Sequence, residues 1–295
     1  MNPGLTGYAK QEYLMKVTEF MTACRRRSPL GGLWDVADLH WWWRDGGYGN
    51  PEQQLFLEAP SGQALGFILL SEQYDTFDYE ILPGHEESEA AATMFRHALG
   101  WLKGRLASSS KPESISFFIR DSHSTLRKLA EAEGFRASMK TYVQTALRLP
   151  LPEPGSLAPI ADNIRSIRET DLSGGRPPVL HTSAAKFSRV CETPLYRPKH
   201  HLVGVDPNDQ PVAECICWID QVNDIGVLEP METHPDHRRR GHGSEILRAA
   251  LRLISVSGGK FAKVSHYNSN IAAARLYRSL GFRPVFERVV YEIDG

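Results

Sequence analysis

Apolar positions recur along this chain with two periods. In the C-terminal half, Ile246, Leu247, Ala250, Leu251 and Ile254 fall three and four residues apart. That spacing predicts a helix over Gly243–Ser255, stopped by Gly258 and Gly259. Asn270–Leu280 has the same period and ends at Gly281, a residue suited to the left-handed position that follows a helix. Runs rich in β-branched and aromatic residues predict strands at His201–Asp206, Val212–Asp220, Ile225–Thr233, Phe261–Tyr267 and Val285–Ile293. A short strand is expected at Asn163–Glu169 and a turn at Pro207–Gln210. A polar, partly helical stretch, with a helix over Ala184–Val190, fills the chain to about Lys199. A meander of strands followed by strand–helix–strand–helix–strand makes a mixed α/β sheet.

The first half repeats this order. Leu14–Arg27 is an amphipathic helix. Strands are expected at Gln54–Ala59, Ala64–Leu70 and Tyr79–Leu82, then a helix at Glu86–Arg105. A strand at Ser114–Arg120, a helix at Thr125–Ala132 and a strand at Met139–Leu147 complete the order. Aligning Gly134-Phe135-Arg136 with Gly281-Phe282-Arg283 also aligns Leu129 with Leu276, so the chain reads as two copies of one fold. Between them, Pro150–Pro159 holds four prolines in ten residues and can enter neither a helix nor a sheet interior. The expected domains are therefore 1–150 and 163–295, joined by a Pro-rich linker at 151–162.

Composition narrows the function classes. Apolar residues at 41% and charged ones at 23% describe a folded, water-soluble protein, and a formal net charge of −1 gives no basic field for nucleic acid. No apolar run approaches the roughly 20 residues that span a bilayer, and the N-terminus lacks a signal-peptide pattern. No membrane partner is expected, and a homodimer is admitted. Cys24, Cys191, Cys215 and Cys217 form no C-x-x-C pair. Cys215 and Cys217 alternate on one strand face, as buried free thiols do, which fits a reducing, cytoplasmic compartment. Consecutive tryptophans at Trp41-Trp42-Trp43 point in different directions, so core packing or domain docking is the reading.

Candidate chemistry concentrates in Arg238-Arg239-Arg240-Gly241-His242-Gly243, which follows a strand and opens a helix. Unpaired N–H groups at a helix start, the helix dipole, two permissive glycines and three arginines together favour a pyrophosphate. A Walker loop is absent, and a dinucleotide loop lacks its third glycine because Ile246 stands there. His234, His237 and His242 lack a cysteine or carboxylate to complete a metal set, so no metal is expected.

What remains is R-x-x-G-x-G, which resembles the acyl-CoA pyrophosphate loop of the GNAT N-acetyltransferase superfamily. Thr233-His234-Pro235-Asp236-His237 resembles the strand end and turn that introduce it. Downstream, Asn270 to Phe282 resembles the second family signature, N-x-x-A-x-x-L-Y-x-x-x-G-F. The resemblance implies two tandem GNAT-like domains, each a mixed, mostly antiparallel twisted sheet flanked by helices. It implies acetyl-CoA as cosubstrate and an amine acceptor. Arg238, Arg239, Arg240, Gly241, His242, Gly243 and Ser244 would hold the pyrophosphate. Met231, Glu232 and Thr233 would pair with the pantetheine arm, with Phe261–Tyr267 splayed away to open a slot. Asn270 and Ala273 would line the arm. Tyr277 holds the position of the acid that protonates the leaving thiolate.

Direct attack requires a neutral amine, hence a base. Glu229, in phase with Met231 and Val227, is the first candidate; Glu232 and His234 are alternatives, and Pro230 is expected to bend the strand. The N-terminal copy reads Leu82-Pro83-Gly84-His85-Glu86-Glu87-Ser88-Glu89 at the loop, and has His123 and Ala130 where the other has Asn270 and Tyr277. Its carboxylates would repel a pyrophosphate, so it is expected to be a degenerate copy. The leading expectation is an N-acetyltransferase acting on a small-molecule primary amine. An acyl-CoA-binding regulatory module without turnover and a protein N-acetyltransferase are the alternatives.

Overall fold

The computed structural model describes residues 3–42, 51–108, 113–149, 163–167, 187, 190–193 and 195–295. The Pro150–Pro159 stretch, the side chains of Trp41–Trp43 and most of the helix expected at Ala184–Val190 lie outside the described residues. The chain forms two compact units. Unit 1 comprises Met1–Gln144, Tyr267–Ser269 and Val285–Gly295; unit 2 comprises Thr145–His266 and Asn270–Pro284.

Unit 1 begins with β1 (Gly4–Gly7), α1 (Lys10–Arg27) and α2 (Val36–Trp42), and continues through β2 (Gln54–Glu58), β3 (Ala64–Ser71) and β4 (Thr76–Ile81). These four strands form an antiparallel sheet in the order β1-β2-β3-β4. Then come α3 (Glu89–Leu106), β5 (Ser114–Arg120), α4 (Ser124–Ala132) and β6 (Arg136–Arg148). Helix α3 starts where the Ser88 hydroxyl accepts the Ala91 N–H at 3.2 Å, and it buries Ala91, Met94, Phe95, Ala98, Leu99 and Leu102.

In unit 2, β7 (Ile164–Ser166), β8 (His201–Val205), β9 (Pro211–Asp220) and β10 (Ile225–Thr233) form an antiparallel meander, followed by α5 (His242–Val256), β11 (Phe261–Tyr267) and α6 (Ile271–Ser279). Both helices cover the sheet face that carries Cys215, Cys217, Ile219, Leu228, Ala262 and Val264, with Ile246, Leu247, Ala250 and Ile254 of α5 in the same core. The buried thiols expected at Cys215 and Cys217 lie there. The end of β6 belongs to this unit: the Thr145 hydroxyl donates to the Val264 carbonyl at 2.8 Å, and the Leu149 N–H donates to the Lys260 carbonyl at 2.9 Å.

The last strand, β12 (Arg283–Asp294), pairs antiparallel with β5 from Arg288 opposite Arg120 to Asp294 opposite Ser114. From Val285 onward it is part of unit 1. The compact units therefore do not follow the expected division at 150 and 163. Sequence periodicity finds a strand but not its neighbours, because pairing partners are set by tertiary contacts. Strand β1 and helix α2 are elements the periodicity did not show.

The repeat is visible in backbone angles. His123 before α4 has φ −82°, ψ 73°, and Asn270 before α6 has φ −83°, ψ 73°. Gly134 and Gly281 close these helices at φ +93° and +98°. The N–H of Phe135 reaches back to the Ala130 carbonyl at 3.0 Å, and that of Phe282 to the Tyr277 carbonyl at 3.1 Å.

Candidate functional site

The site begins at an irregularity in β10. Leu228 pairs with Cys217 and Met231 with Cys215, so three steps on β10 face two on β9. The extra residue is a β-bulge, and it falls where Pro230 has no N–H for the ladder. This is the distortion the sequence expected at Pro230. The Trp218 indole N–H donates to the Glu229 carbonyl beside it. Beyond the bulge, Met231, Glu232 and Thr233 pair with Cys215, Glu214 and Ala213 of β9. On the other side, β11 pairs parallel with β10 only from Ile225–Phe261 to Val227–Lys263. Past that point the β10–β11 ladder does not continue, and Pro230–Thr233 line a groove.

The loop after β10 is shaped by local bonds. Pro235–His237 is a single 3₁₀ turn, in which His234 Nδ1 accepts the Asp236 N–H at 3.3 Å. The Arg238 Nε donates to the Thr233 carbonyl at 3.1 Å, and its guanidinium lies 3.9 Å from Glu232 Oε1. Arg239 has φ +64° and Gly241 φ +93°. The first is uncommon for a residue with a Cβ, and the second is the N-cap of α5, whose carbonyl accepts the N–H groups of Ser244 and Glu245 at 2.8 and 3.1 Å. The N–H groups of the first turn have no partner within the helix and point out of its end. A Cβ on Gly243 would come within 3.3 Å of Thr233 Oγ1 and 3.4 Å of Leu276 Cδ2, so glycine keeps this strip of wall low.

Helix α6 supplies the opposite wall. Asn270 Oδ1 accepts the Ala273 N–H at 3.1 Å. That oxygen caps the helix, while the residue also lines the groove. One turn further in, Tyr277 is 6% exposed and sits between His266 and Phe282, with ring centroids 5.8 and 5.9 Å away. Among the described residues, none hydrogen-bonds its hydroxyl. Burial, then the charges of Cys215 and Glu229, push the phenol well above its ordinary value. It therefore holds its proton throughout the neutral range.

Together these walls enclose a groove of about 540 Å³, lined from Pro230 to Thr233, by His237, Arg238 and Arg239, from Gly241 to Ser244, and by Asn270, Ala272, Ala273, Leu276 and Tyr277. Most of the residues expected from the sequence to hold a cosubstrate thus meet at one place. Arg240 is exposed and lies outside the lining. Glu229 is half-buried at the bulge and also outside the lining, but close enough for its charge to act on Tyr277. Pro230, His237 and Ala272 are lining residues the sequence reading did not assign to the site. Pro230 sits at the bulge and His237 in the 3₁₀ turn, neither of which leaves a periodic signal, while Ala272 is carried by the first turn of α6. Among the described residues, no cluster of metal-ligating side chains occurs.

In unit 1 the counterpart of this groove is closed. Glu87, on the loop after β4, accepts the N–H groups of Ser124 and Thr125 at 2.9 and 3.1 Å and both of their hydroxyls. Those bonds, the Thr125 hydroxyl foremost, hold its carboxyl below the usual range. The chain's own carboxylate thus occupies the N-terminus of α4 and ties the loop across the gap. Nearby, the buried His123 ring accepts or donates at Nδ1 with the Tyr79 hydroxyl at 3.1 Å. A cavity of about 20 Å³, room for one water, lies beside Tyr79, Arg120 and His123.

Comparison with known proteins agrees with this geometry. Residues 163–282 match the model of the Acetyltransferase (GNAT) family. No curated protein is a significant sequence match. Among solved structures, a GCN5-related N-acetyltransferase from Sphaerobacter thermophilus superposes with a TM-score of 0.65 at 16% identity, covering 99% of this chain and 95% of that one. A tandem GNAT protein from the clavulanic acid biosynthesis pathway gives 0.65 at 13%, covering 99% and 98%. A GNAT-family acetyltransferase from Colwellia psychrerythraea gives 0.58 at 13%, covering 99% and 100%. At these identities the likeness is one of fold, here the mixed α/β fold of tandem GNAT proteins.

Proposed function

We propose that this protein, whose residues 163–282 match the GNAT acetyltransferase family model and whose fold is similar to that of tandem GNAT proteins, transfers an acetyl group from acetyl-CoA to a primary amine of a small molecule. One observation carries the reading: a groove with an arginine-rimmed helix N-terminus at one end and a buried, protonated tyrosine at the other. The donor set fits the cosubstrate. Diphosphate suits the Gly241–Ser244 amides and the guanidinium groups of Arg238 and Arg239. An extended amide-bearing arm suits the stretch Met231–Thr233 that lines the groove.

Acetyl-CoA would supply an activated acyl group on a thiolate leaving group. The protein's own part is to orient that group and manage two protons. Tyr277 Oη holds a proton for the departing sulfur. The acceptor, an ammonium ion in water at neutral pH, must lose one to attack. Glu229 is the base of this proposal, because its carboxylate acts on Tyr277 electrostatically. Glu232 faces Arg238 at 3.9 Å, and His234 Nδ1 is engaged by the Asp236 N–H.

Thiol release from acetyl-CoA across a panel of primary amines tests the reading. Turnover is expected with at least one amine, and Tyr277→Phe is expected to lower kcat by about ten- to a hundredfold while KM for acetyl-CoA stays within about threefold. Thermal stabilisation by acetyl-CoA with no thiol release from any amine would leave a binding module, and the enzyme reading would fall.

A further inference from the structure

The acyl-donor groove is rimmed by imidazoles as well as arginines. His237 and His242 both line it, and their ring centroids are 6.1 Å apart. His234 stands 5.6 Å from His237 and is not among the lining residues. His242 Nδ1 is buried without a hydrogen bond, 3.7 Å from Glu245 Oε2. We infer that His237 and His242 are part of the diphosphate site, and that their protonation strengthens acyl-CoA binding as pH falls. This rests on the acyl-CoA reading of the groove.

The charges around the pair are mixed. Arg238, Arg239 and Arg240 on the loop, and His234 on the turn, oppose a further positive charge. Asp236 on the same turn favours it, as does Glu245 of α5, which also receives the Asn163 side-chain N–H at 3.5 Å. Asp206, between β8 and β9, faces His237; its carboxyl is held low by the Gln210 backbone N–H first, and by the charge of His237 as well. Glu232 is turned toward Arg238. A diphosphate brings two negative charges among these groups and favours the cationic form of the imidazoles. Imidazole is the side chain that ordinarily titrates between pH 5 and 8. Binding then takes up protons, and by linkage added protons must strengthen binding.

Dephospho-CoA is the probe. Its diphosphate diester does not titrate near neutrality, whereas the 3′-phosphate of CoA would, at roughly pH 6. Calorimetric titration of the full chain at pH 6.8, in two buffers of different protonation enthalpy, reads the proton uptake. Uptake is expected, together with a fall in Kd of about three- to tenfold between pH 8 and pH 6. The His237→Gln/His242→Gln double variant should lose both, and each single variant should lose part. Thermal melting of each variant confirms that it is folded. Tight binding of dephospho-CoA without proton uptake, or uptake unchanged in the folded double variant, overturns this inference and leaves the acyl-CoA reading intact. No binding of either dephospho-CoA or CoA overturns both.

Discussion

Gly241 sits at the point where two requirements meet. Its φ of +93° is disfavoured for any residue with a Cβ, and its carbonyl nucleates the first turn of α5. A Cβ there would meet only Glu245 Oε1 at 3.7 Å, so space is not the constraint. Gly241→Ala should therefore cost on the order of 1 kcal/mol in stability and weaken CoA binding moderately. Gly241→Asp adds a negative charge beside the proposed diphosphate and should raise Kd for CoA at least a hundredfold. Calorimetry with both variants separates strain from charge; equal affinity of the Asp variant and the wild type would remove the loop from the binding site. At this scale the sequence was highly legible. The R-x-x-G-x-G spacing is readable because glycine positions fix the backbone at the start of α5, whose amides are the groups proposed to bind the diphosphate. Glu229 was harder to place. Alternation along β10 puts it in phase with Met231, but the bulge inserts a residue between them and breaks the alternation.

Individual elements show one framework in both units carrying different charged groups. The helix–glycine–strand corner is the same in both copies, down to the cap bonds, because packing and backbone conformation preserve it whatever the surface residues do. The charged groups near it diverged. In unit 1, Trp34 Nε1 donates to Asp78 Oδ1 at 2.7 Å, and burial, outweighing that bond and the charge of Arg288, raises the Asp78 carboxyl to about 6. Burial, then Arg120, lowers His123 to about 4. The two act with opposite sign. A raised carboxyl contributes stability that is complete below its ordinary value of 3.8 and lost as pH rises through about 6. A lowered imidazole contributes stability that is complete above 6.5 and lost as pH falls through about 4. Asp78→Asn should thus stabilise the protein at pH 7 relative to pH 4.5, by on the order of 1 kcal/mol because the side chain is partly exposed. His123→Asn, which installs the cap residue of the other copy, should flatten the acid limb. Chemical denaturation of both variants from pH 4 to pH 8 checks the two slopes. A wild-type profile unchanged by either substitution would mean that neither group controls how stability varies with pH.

For the whole molecule, the chain's division of labour is less simple than its sequence suggests. A proline-rich stretch and two similar halves point to two self-contained domains. Yet residues 285–295 pair with β5 in unit 1, and residues 145–149 bond to Val264 and Lys260 in unit 2. Hydrophobic periodicity could not show this, because β6 and β12 follow equivalent corners and periodicity does not name a strand's partners. Either would satisfy the same place in a sheet, and only the register of contacts decides. A fragment ending at residue 150 lacks the strand that pairs seven residues of β5, from Arg120 to Ser114. Tyr291 of that strand is fully buried, and its ring stacks 6.2 Å from Phe117. Losing a buried aromatic alone costs about 3–5 kcal/mol, a large part of a typical domain's stability. The fragment 1–150 should therefore be unfolded or aggregated when expressed alone, and 163–295, without Thr145–Leu149, should be destabilised. Expressed together, the two should associate and recover CoA binding, whereas cutting the intact chain within 151–162 should leave a stable complex. Circular dichroism and size-exclusion chromatography of the separate and combined fragments decide the matter. A cooperatively folded, monomeric 1–150 fragment would show that β12 is dispensable to unit 1.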